Sequence, residues 1–521
     1  MNDNFSSTHF KKKNYQENKK FLFLLIPIGI ISFFIKNIFF EPEIALTFDS
    51  LKYFFYATDI AIFGQLPENY FLANNFWSIF LAVFFQMFSF ENTIQYMDLQ
   101  KQLSMIISTI TIIPIYFLSR RFFEPKYSII ASLIFACEPR IFYNSMLGIT
   151  ESLYILLGTL SIFLFLSSNK KIIYLSFLVV GITTITRAEG QMLFLAMSVM
   201  YFVRFRNEKL VVPKYFIGLG IFAIIVVPMI MYQYEIQEND LIFGRAVNTI
   251  SYHTQDPTDT GGESGIPFFV QGVENYVKFF IWDLIPIFIF FVPFGIILLF
   301  LNRDHRKWTL ILCGIGISIP AFYAYSIPLL DTRYLFMLYP IFGVISLFAI
   351  KRFTEHFKRK NLILGLIVIG IILSASIFLE LKPLENKQKL EAYEIAKEVV
   401  KETRIMNSYY PEERYTEPAI LPEKWNDFKD LFFIEREMTK SVKDSISNPI
   451  TFVSTNGYSS IEEFIQKNSE LTHLYVDEKN DRIEFLKEIF ENEKKYEFLE
   501  KQYDSKENGF NYHVKIFKIN Q

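Results

Sequence analysis

Cysteine is nearly missing from this 521-residue chain. Its two copies, Cys137 and Cys313, each sit inside an apolar run, which excludes a disulfide scaffold and a cysteine-type metal centre and leaves the compartment unreadable from cysteine. Charged residues are scarce too, at 20% of the chain, against about 25% in an ordinary soluble domain. Neither sign prevails, with 52 Lys and Arg against 54 Asp and Glu. A basic surface of the kind that binds nucleic acid is therefore not expected. Internal repeats and low-complexity tracts are also lacking, so solenoids and biased linkers are excluded.

What is there is apolar. Hydrophobic residues make up 51% and aromatics 18%, and the mean hydropathy is +0.24. This composition predicts a polytopic α-helical membrane protein. The first twenty residues are polar and carry Lys11, Lys12, Lys13, Lys19 and Lys20; the apolar run Phe21–Phe40 that follows is long enough to cross a bilayer, which takes about 20 residues. It is too long for a signal peptide and no small-residue cleavage site follows it. Further apolar spans lie near 102–119, 127–138, 151–167, 172–186, 190–203, 215–232, 276–300, 308–325, 334–350 and 361–379. With the first, that makes about eleven crossings.

Loop charge orients them. Segments holding Arg120/Arg121/Lys126, Lys170/Lys171, Arg204/Arg206/Lys209, Arg303/Arg306/Lys307 and Lys351/Arg352/Lys358/Arg359/Lys360 alternate with segments that carry roughly one base each, so the basic set is expected in the cytoplasm. An odd number of crossings then places the N-terminus inside and the C-terminal segment outside a cell membrane. On the outer side lie the stretch around Asp49, the turn from Glu138 to Glu151, the turn Arg187–Glu189, the loop 233–274 and the turn Ser326–Arg333.

Three parts follow: a basic cytoplasmic tail 1–20, a transmembrane domain 21–379 and an extracytoplasmic soluble domain 380–521. In the outer loop 41–101, the apolar run Phe76–Phe85 is short for a span and reads as a helix in the interface with Trp77 at headgroup depth. Counting it as a twelfth crossing would reverse the charge alternation downstream. The loop 233–274 carries the breaker-rich stretch Gln255–Gly265 and reads as a lid over substrate or as a plain connector. Beyond Leu379 the composition becomes that of a small α/β domain with about seven more acids than bases. Helical patterns cover Leu390–Ile405, Ser460–Ile465 and Arg482–Phe490; strand patterns cover Pro449–Ser454, Leu471–Val476 and Tyr512–Ile519. No catalytic signature stands out in it.

Ionisable groups at the ends of spans are costly to keep and become functional candidates when they recur on one side. If the run from Asp49 is helical, Asp49, Lys52, Tyr53 and Tyr56 fall at i, i+3, i+4 and i+7, presenting a carboxylate, an ammonium and two phenols together. A carboxylate there can take a proton from an attacking hydroxyl, and a cation can hold a departing phosphate. Glu151 opens a span after Gly148-Ile149-Thr150; it also reads as an ordinary first-turn acid favoured by the helix dipole. Arg187, in Thr186-Arg187-Ala188-Glu189-Gly190, can hold a phosphate or simply pair with Glu189. Arg333 and Tyr334 precede a span with Pro340 in it, and they read alternatively as interfacial anchors. Asp283, within a span, either faces a cavity or hydrogen-bonds a neighbouring helix. Among the histidines only His253 lies on the outer side, and one His without spaced partners does not make a zinc site.

Together and in this order, these pieces resemble the polytopic lipid-phosphate-sugar-dependent glycosyltransferases of the GT-C superfamily, which includes protein O-mannosyltransferases and the lipid A aminoarabinose transferase. The likeness covers roughly residues 20–350. Asp49-Ser50-Leu51-Lys52-Tyr53 resembles the family's first-loop Asp-(acid)-x-x-Tyr motif, Gly148-Ile149-Thr150-Glu151 its Gly-x-x-acid turn, Thr186–Gly190 its basic turn, and Arg333-Tyr334 with Pro340 its late Arg-Tyr…Pro segment. Ser50 stands where many members have a second acid, which argues against a carboxylate pair within that loop. Asn74-Asn75-Phe76 replaces a Lys-Pro-Pro-like step of the aminoarabinose transferase, and the Trp-Trp-Asp-type motif of oligosaccharyltransferases is missing.

The resemblance implies an inverting transfer of a sugar from a polyprenyl-phosphate donor to a hydroxyl acceptor on protein, glycan or lipid. It implies Asp49 and Glu151 as catalytic residues, Lys52, Arg187 and Arg333 around the donor phosphate, and Tyr53, Tyr334 and His253 against substrate. No cofactor is required by this reading, and a divalent metal is left open. The competing class is a transporter or flippase of a lipid-linked or anionic solute, against which stands the gathering of charge at one membrane face.

Overall fold

The computed structural model describes residues 4–42, 44–46, 48–67, 72, 75–237, 268–327, 329–380, 391–398, 423–437, 458–469, 471–478 and 483–520. The loop stretch Gln255–Gly265, His253 and the expected strand Pro449–Ser454 lie outside them. By contact the chain divides into two units: Met1–Glu41, Lys52–Ser89 and Tyr96–Leu381 form one, and Pro42–Leu51, Phe90–Gln95 and Lys382–Gln521 the other.

The first unit is a helical bundle, to which the helices below belong except for the first turns of the second and fourth, Phe48–Leu51 and Thr93–Gln95, which fall in the second unit. In chain order come α1 (Asn4–Phe39), α2 (Phe48–Phe63), α3 (Phe76–Met87), α4 (Thr93–Ile110), α5 (Ile112–Ser119), α6 (Pro125–Ala136), α7 (Pro139–Ser145), α8 (Glu151–Phe165), α9 (Lys170–Thr186), α10 (Gly190–Phe205) and α11 (Val211–Gln237). Then follow α12 (Phe268–Leu284), α13 (Phe291–Leu301), α14 (Lys307–Ser326), a 3-10 turn Thr332–Leu338, α15 (Tyr339–Glu355) and α16 (Lys360–Glu380). Local chemistry sets several starts. Pro125 and Pro139 occupy first-turn positions where a missing amide hydrogen costs nothing, and Asn169 accepts the Lys171 amide at 3.0 Å to open α9.

Six helical segments among the described residues are long and apolar enough to cross a membrane: Lys20–Phe39, Thr93–Ser119, Val211–Ile236, Lys307–Ser326, Thr332–Glu355 and Lys360–Glu380. Five shorter apolar helices, α3, α6, α8, α10 and α13, accompany them. The protein is thus a polytopic, largely helical membrane protein. The apolar run 276–300, expected as one crossing, is divided between α12 and α13 by the turn around Pro286, whose ring cannot donate to a helical ladder. Trp77, the residue expected at headgroup depth, packs against protein. Its side chain is fully buried and donates Nε1 to the Gly148 carbonyl at 3.0 Å, because α3 packs into the bundle through Trp77, Leu81 and Phe85.

Inside the bundle α8 packs on α9, α9 on α10 and α11, and α14 on α10 and α12. Several polar side chains buried there are paired, which offsets the cost of removing them from water: Ser104 with Ser152 at 2.8 Å, and Thr159 and Thr183 with carbonyls one turn back. Asp283 serves to join helices. Arg140 of α7 lies 3.6 Å from its carboxylate and 3.4 Å from that of Glu138, and donates to the Trp282 and Ile285 carbonyls, tying α7 to the end of α12.

The second unit contains α17 (Trp425–Glu437), α18 (Ile461–Lys467), β1 (His473–Asp477), α19 (Glu484–Glu491), β2 (Leu499–Asp504) and β3 (Val514–Ile519). The strands form an antiparallel sheet in the order β1-β3-β2, with Tyr475 opposite Ile516 and Leu499 opposite Ile519. Phe464, Leu474, Val476, Leu486, Ile489 and Phe517 make its core. Strand β2 is an addition to the expected elements. Its sequence Leu-Glu-Lys-Gln-Tyr-Asp carries little apolar signal, and it is held mainly by pairing to β3.

Candidate active site

Glu151 sits on the first turn of α8 and is 2% exposed. The turn before it is shaped by Gly148, whose φ of +71° lies in the left-handed region that a side chain disfavours. The Gly148 carbonyl accepts both Trp77 Nε1 at 3.0 Å and Gln100 Nε2 at 2.7 Å. Two donors from two other helices therefore fix the backbone three residues ahead of the carboxylate.

Arg187 reaches Glu151 from the end of α9. There the backbone leaves the helix in an extended conformation, and the next turn packs so closely that a Cβ on Gly190 would lie 2.8 Å from the Thr184 backbone. Nη1 of Arg187 is 2.5 Å from Glu151 Oε1 and 3.5 Å from Thr150 Oγ1, while Nε and Nη2 meet Glu189 Oε1 at 3.2 and 2.6 Å. Burial works against its charge, but the Glu189 and Glu151 carboxylates outweigh burial and hold its pKa well above the ordinary arginine value. This guanidinium is a permanent cation.

A second arginine comes from the 3-10 turn. Asp331 caps that turn by accepting the Arg333 amide at 2.9 Å and binds Arg333 Nε at 2.6 Å; Arg333 Nη1 then stands 3.7 Å from the same Glu151 oxygen. Three carboxylates and two guanidinium groups thus meet. Tyr53 and Tyr334 lie within electrostatic range of Arg187, Tyr53 buried and Tyr334 half-buried. Tyr154, which the sequence did not single out, lies under Arg187 with its ring centre 5.8 Å from the guanidinium carbon. Its position three residues after Glu151 on α8 was the available signal.

The other candidates are placed differently. Asp49 is half-buried on the first turn of α2, in the segment Pro42–Leu51 of the second contact unit. Lys52 is exposed, whereas Tyr53 and Tyr56 are buried. On a helix, i+3 and i+4 lie about 100° apart, so a face that buries Tyr53 leaves Lys52 at its solvent edge. His253 falls outside the described residues. Among the described residues no group of three or more His, Cys, Asp or Glu is arranged to hold a metal.

Residues 76–232 match the family model described as dolichyl-phosphate-mannose-protein mannosyltransferase. No curated protein sequence matches the chain. Among solved structures, apo ArnT from Cupriavidus metallidurans is similar with a TM-score of 0.53 at 11% identity, covering 96% of this chain and 98% of that one. ArnT bound to undecaprenyl phosphate gives 0.50 at 16% identity, covering 70% of this chain; the chain spans 65% of that protein, just under two thirds of its length. The apo oligosaccharyltransferase of Archaeoglobus fulgidus gives 0.54 at 13% identity, covering 88% of this chain and 69% of that one. The bundle that brings Arg187 and Arg333 to Glu151 thus has the fold that ArnT and the archaeal oligosaccharyltransferase share.

Proposed function

We propose that the chain is an integral membrane glycosyltransferase that moves a sugar from a polyprenyl phosphate to an acceptor hydroxyl, with inversion, at the outer face of the membrane. The observation that carries this reading is the convergence of Arg187 and Arg333 on one buried carboxylate at the end of a transmembrane bundle. A sugar phosphate needs no proton to depart; it needs charge stabilisation. Two guanidinium groups can supply that through paired N–H donors.

In this scheme the acceptor oxygen forms a bond to the anomeric carbon while the bond from that carbon to the phosphate oxygen breaks. Asp49 takes the hydroxyl proton, and polyprenyl phosphate leaves with the bonding electrons. The Asp49 role rests on the likeness of Asp49–Tyr53 to the first-loop motif of the family. Glu151 is assigned as a positioning residue that holds both arginines, and the phosphate is assigned to these rather than to exposed Lys52. The similarity to ArnT bound to undecaprenyl phosphate supports the donor class.

The test uses the purified full chain in proteoliposomes, supplied with radiolabelled polyprenyl-phosphate sugars and a panel of hydroxyl acceptors. Sugar transfer or release that vanishes in Asp49→Asn, with folding retained, supports the reading. Movement of intact lipid-linked sugar across the vesicle without bond cleavage overturns it in favour of a transporter, and wild-type turnover in Asp49→Asn removes Asp49 as base.

A further inference from the structure

Helix α8 has a second charged end. At its C-terminus, about 22 Å from Glu151 at 1.5 Å per residue, Arg121 Nη2 donates to the Phe163 carbonyl at 3.4 Å, and Arg204 donates to the Phe165 and Ser167 carbonyls. Arg121 also lies over the Phe163 ring at 4.7 Å. Arg306 lies over Phe122, the residue next to Arg121, at 5.5 Å. These three guanidinium groups are within electrostatic range of one another.

Their charge is poorly balanced. Asp304 pairs with Arg306 at 2.6 Å, but Arg121 and Arg204 have no acidic partner among the described residues. Carbonyls satisfy some of their donors without neutralising them. The Arg121 Nε is buried with no hydrogen-bond acceptor among the described residues, so one of its donors is open to a ligand oxygen. The helices leading to the cluster are coated with exposed apolar side chains, Val199 and Val203 on α10 and Ile297 and Leu301 on α13. Acyl chains cover such surfaces, so the arginines stand where the headgroups of one leaflet begin.

We propose that Arg121, Arg204 and Arg306 form a binding site for the phosphate of an anionic phospholipid headgroup, at the end of the bundle opposite Glu151. A phosphate accepts several N–H donors at once and relieves the mutual repulsion of three cations. Exposed apolar helices beside it favour a phosphate that carries acyl chains over a free ion.

The experiment measures phosphatidylglycerol binding to the full chain in detergent micelles by native mass spectrometry, against phosphatidylcholine, with inorganic phosphate as competitor. Arg306→Gln should weaken phosphatidylglycerol binding about fivefold, the effect of one surface cation on an anionic headgroup. Asp304→Asn should strengthen it by a similar factor, since Asn keeps an acceptor for the Arg306 amide that Asp304 Oδ1 now binds at 2.9 Å and removes only the charge. Opposite shifts in these two variants, with no displacement by millimolar phosphate, support the site. Unchanged affinity in both, or no preference over phosphatidylcholine, overturns it; displacement by phosphate overturns the lipid assignment. Should Arg306→Gln fail to fold, Asp304→Asn alone decides.

Discussion

Arg187 and Glu151 stand 36 residues apart in sequence and meet at 2.5 Å between Nη1 and Oε1. Each sits at the end of a different helix, so the pair fixes the distance between the end of α9 and the start of α8. It also leaves no slack, because Glu189 holds the other side of the same guanidinium.

Removing the carboxylate takes one of two counter-charges from each arginine, leaving Arg187 with Glu189 and Arg333 with Asp331. The cost therefore stays below the roughly 3–5 kcal/mol of a buried charge left with no partner. Glu151→Ala is therefore expected to lower the unfolding temperature of the detergent-solubilised protein, Arg187→Met to lower it more because it takes the guanidinium from both Glu151 and Glu189, and Glu151→Ala/Arg187→Met to lose less than the sum of the two. A double-mutant cycle by differential scanning fluorimetry checks this, and additive losses would show that the two side chains are not coupled.

Arg187→Lys keeps the charge and discards the geometry. An ammonium cannot reach Glu151 and Glu189 through a planar fork as the guanidinium does. The donor kcat/KM is expected to fall by roughly tenfold or more, the value of one good charge-assisted hydrogen bond. Initial rates at varied donor concentration test it, and a lysine variant with wild-type kinetics would reduce Arg187 to a simple counter-charge.

Gly148 and Trp77 set the approach to Glu151. A Cβ at Gly148 would lie 3.1 Å from Gln100 Cγ on a backbone at φ +71°, so Gly148→Ala should cost about 1–2 kcal/mol. Trp77→Phe removes one of the two donors to the Gly148 carbonyl and should cost about 1 kcal/mol while retaining most of the buried ring. In the transfer assay both should lower kcat more than they raise KM, because the turn positions Glu151 without touching substrate. Equal wild-type kcat in both variants would make the turn a purely structural feature.

Much of the bundle could be read from the chain because apolar runs interrupted by clustered bases are a local signal. Thr186–Gly190 and Asp331–Tyr334 were recognisable one at a time for the same reason. Their meeting at Glu151 was not, since nothing periodic links Arg187 to a residue on another helix or Arg333 to one 182 positions earlier. The partner of Trp77 was equally illegible: an aromatic at the edge of a short apolar run has the composition of an interfacial anchor, and nothing in the run points to the Gly148 carbonyl to which it donates. Strand β2 escaped because Glu500, Lys501 and Gln502 point to no core, and its pairing partner lies across a turn in β3.

The sheet of the second unit carries a pH-dependent contact. Asp504 Oδ1 accepts the Lys506 amide at 3.0 Å and lies 2.9 Å from His513 Nε2, and Lys501 Nζ is 3.5 Å from Oδ2. Burial pushes the Asp504 pKa up, but His513, the Lys506 N–H and Lys501 outweigh it and bring the carboxyl below its ordinary value. A carboxyl with a depressed folded-state pKa stabilises the fold above its unfolded value, about 3.9 for Asp, and that contribution fades as pH falls through the folded value. Hydrogen exchange of the β2 and β3 amides, compared between the wild type and Asp504→Asn at each pH, isolates the effect. Protection should favour the wild type by a constant ratio at about pH 5–6, and the ratio should shrink toward one below about pH 3. A ratio that stays the same at every pH would mean that the Asp504 charge does not hold the two strands together.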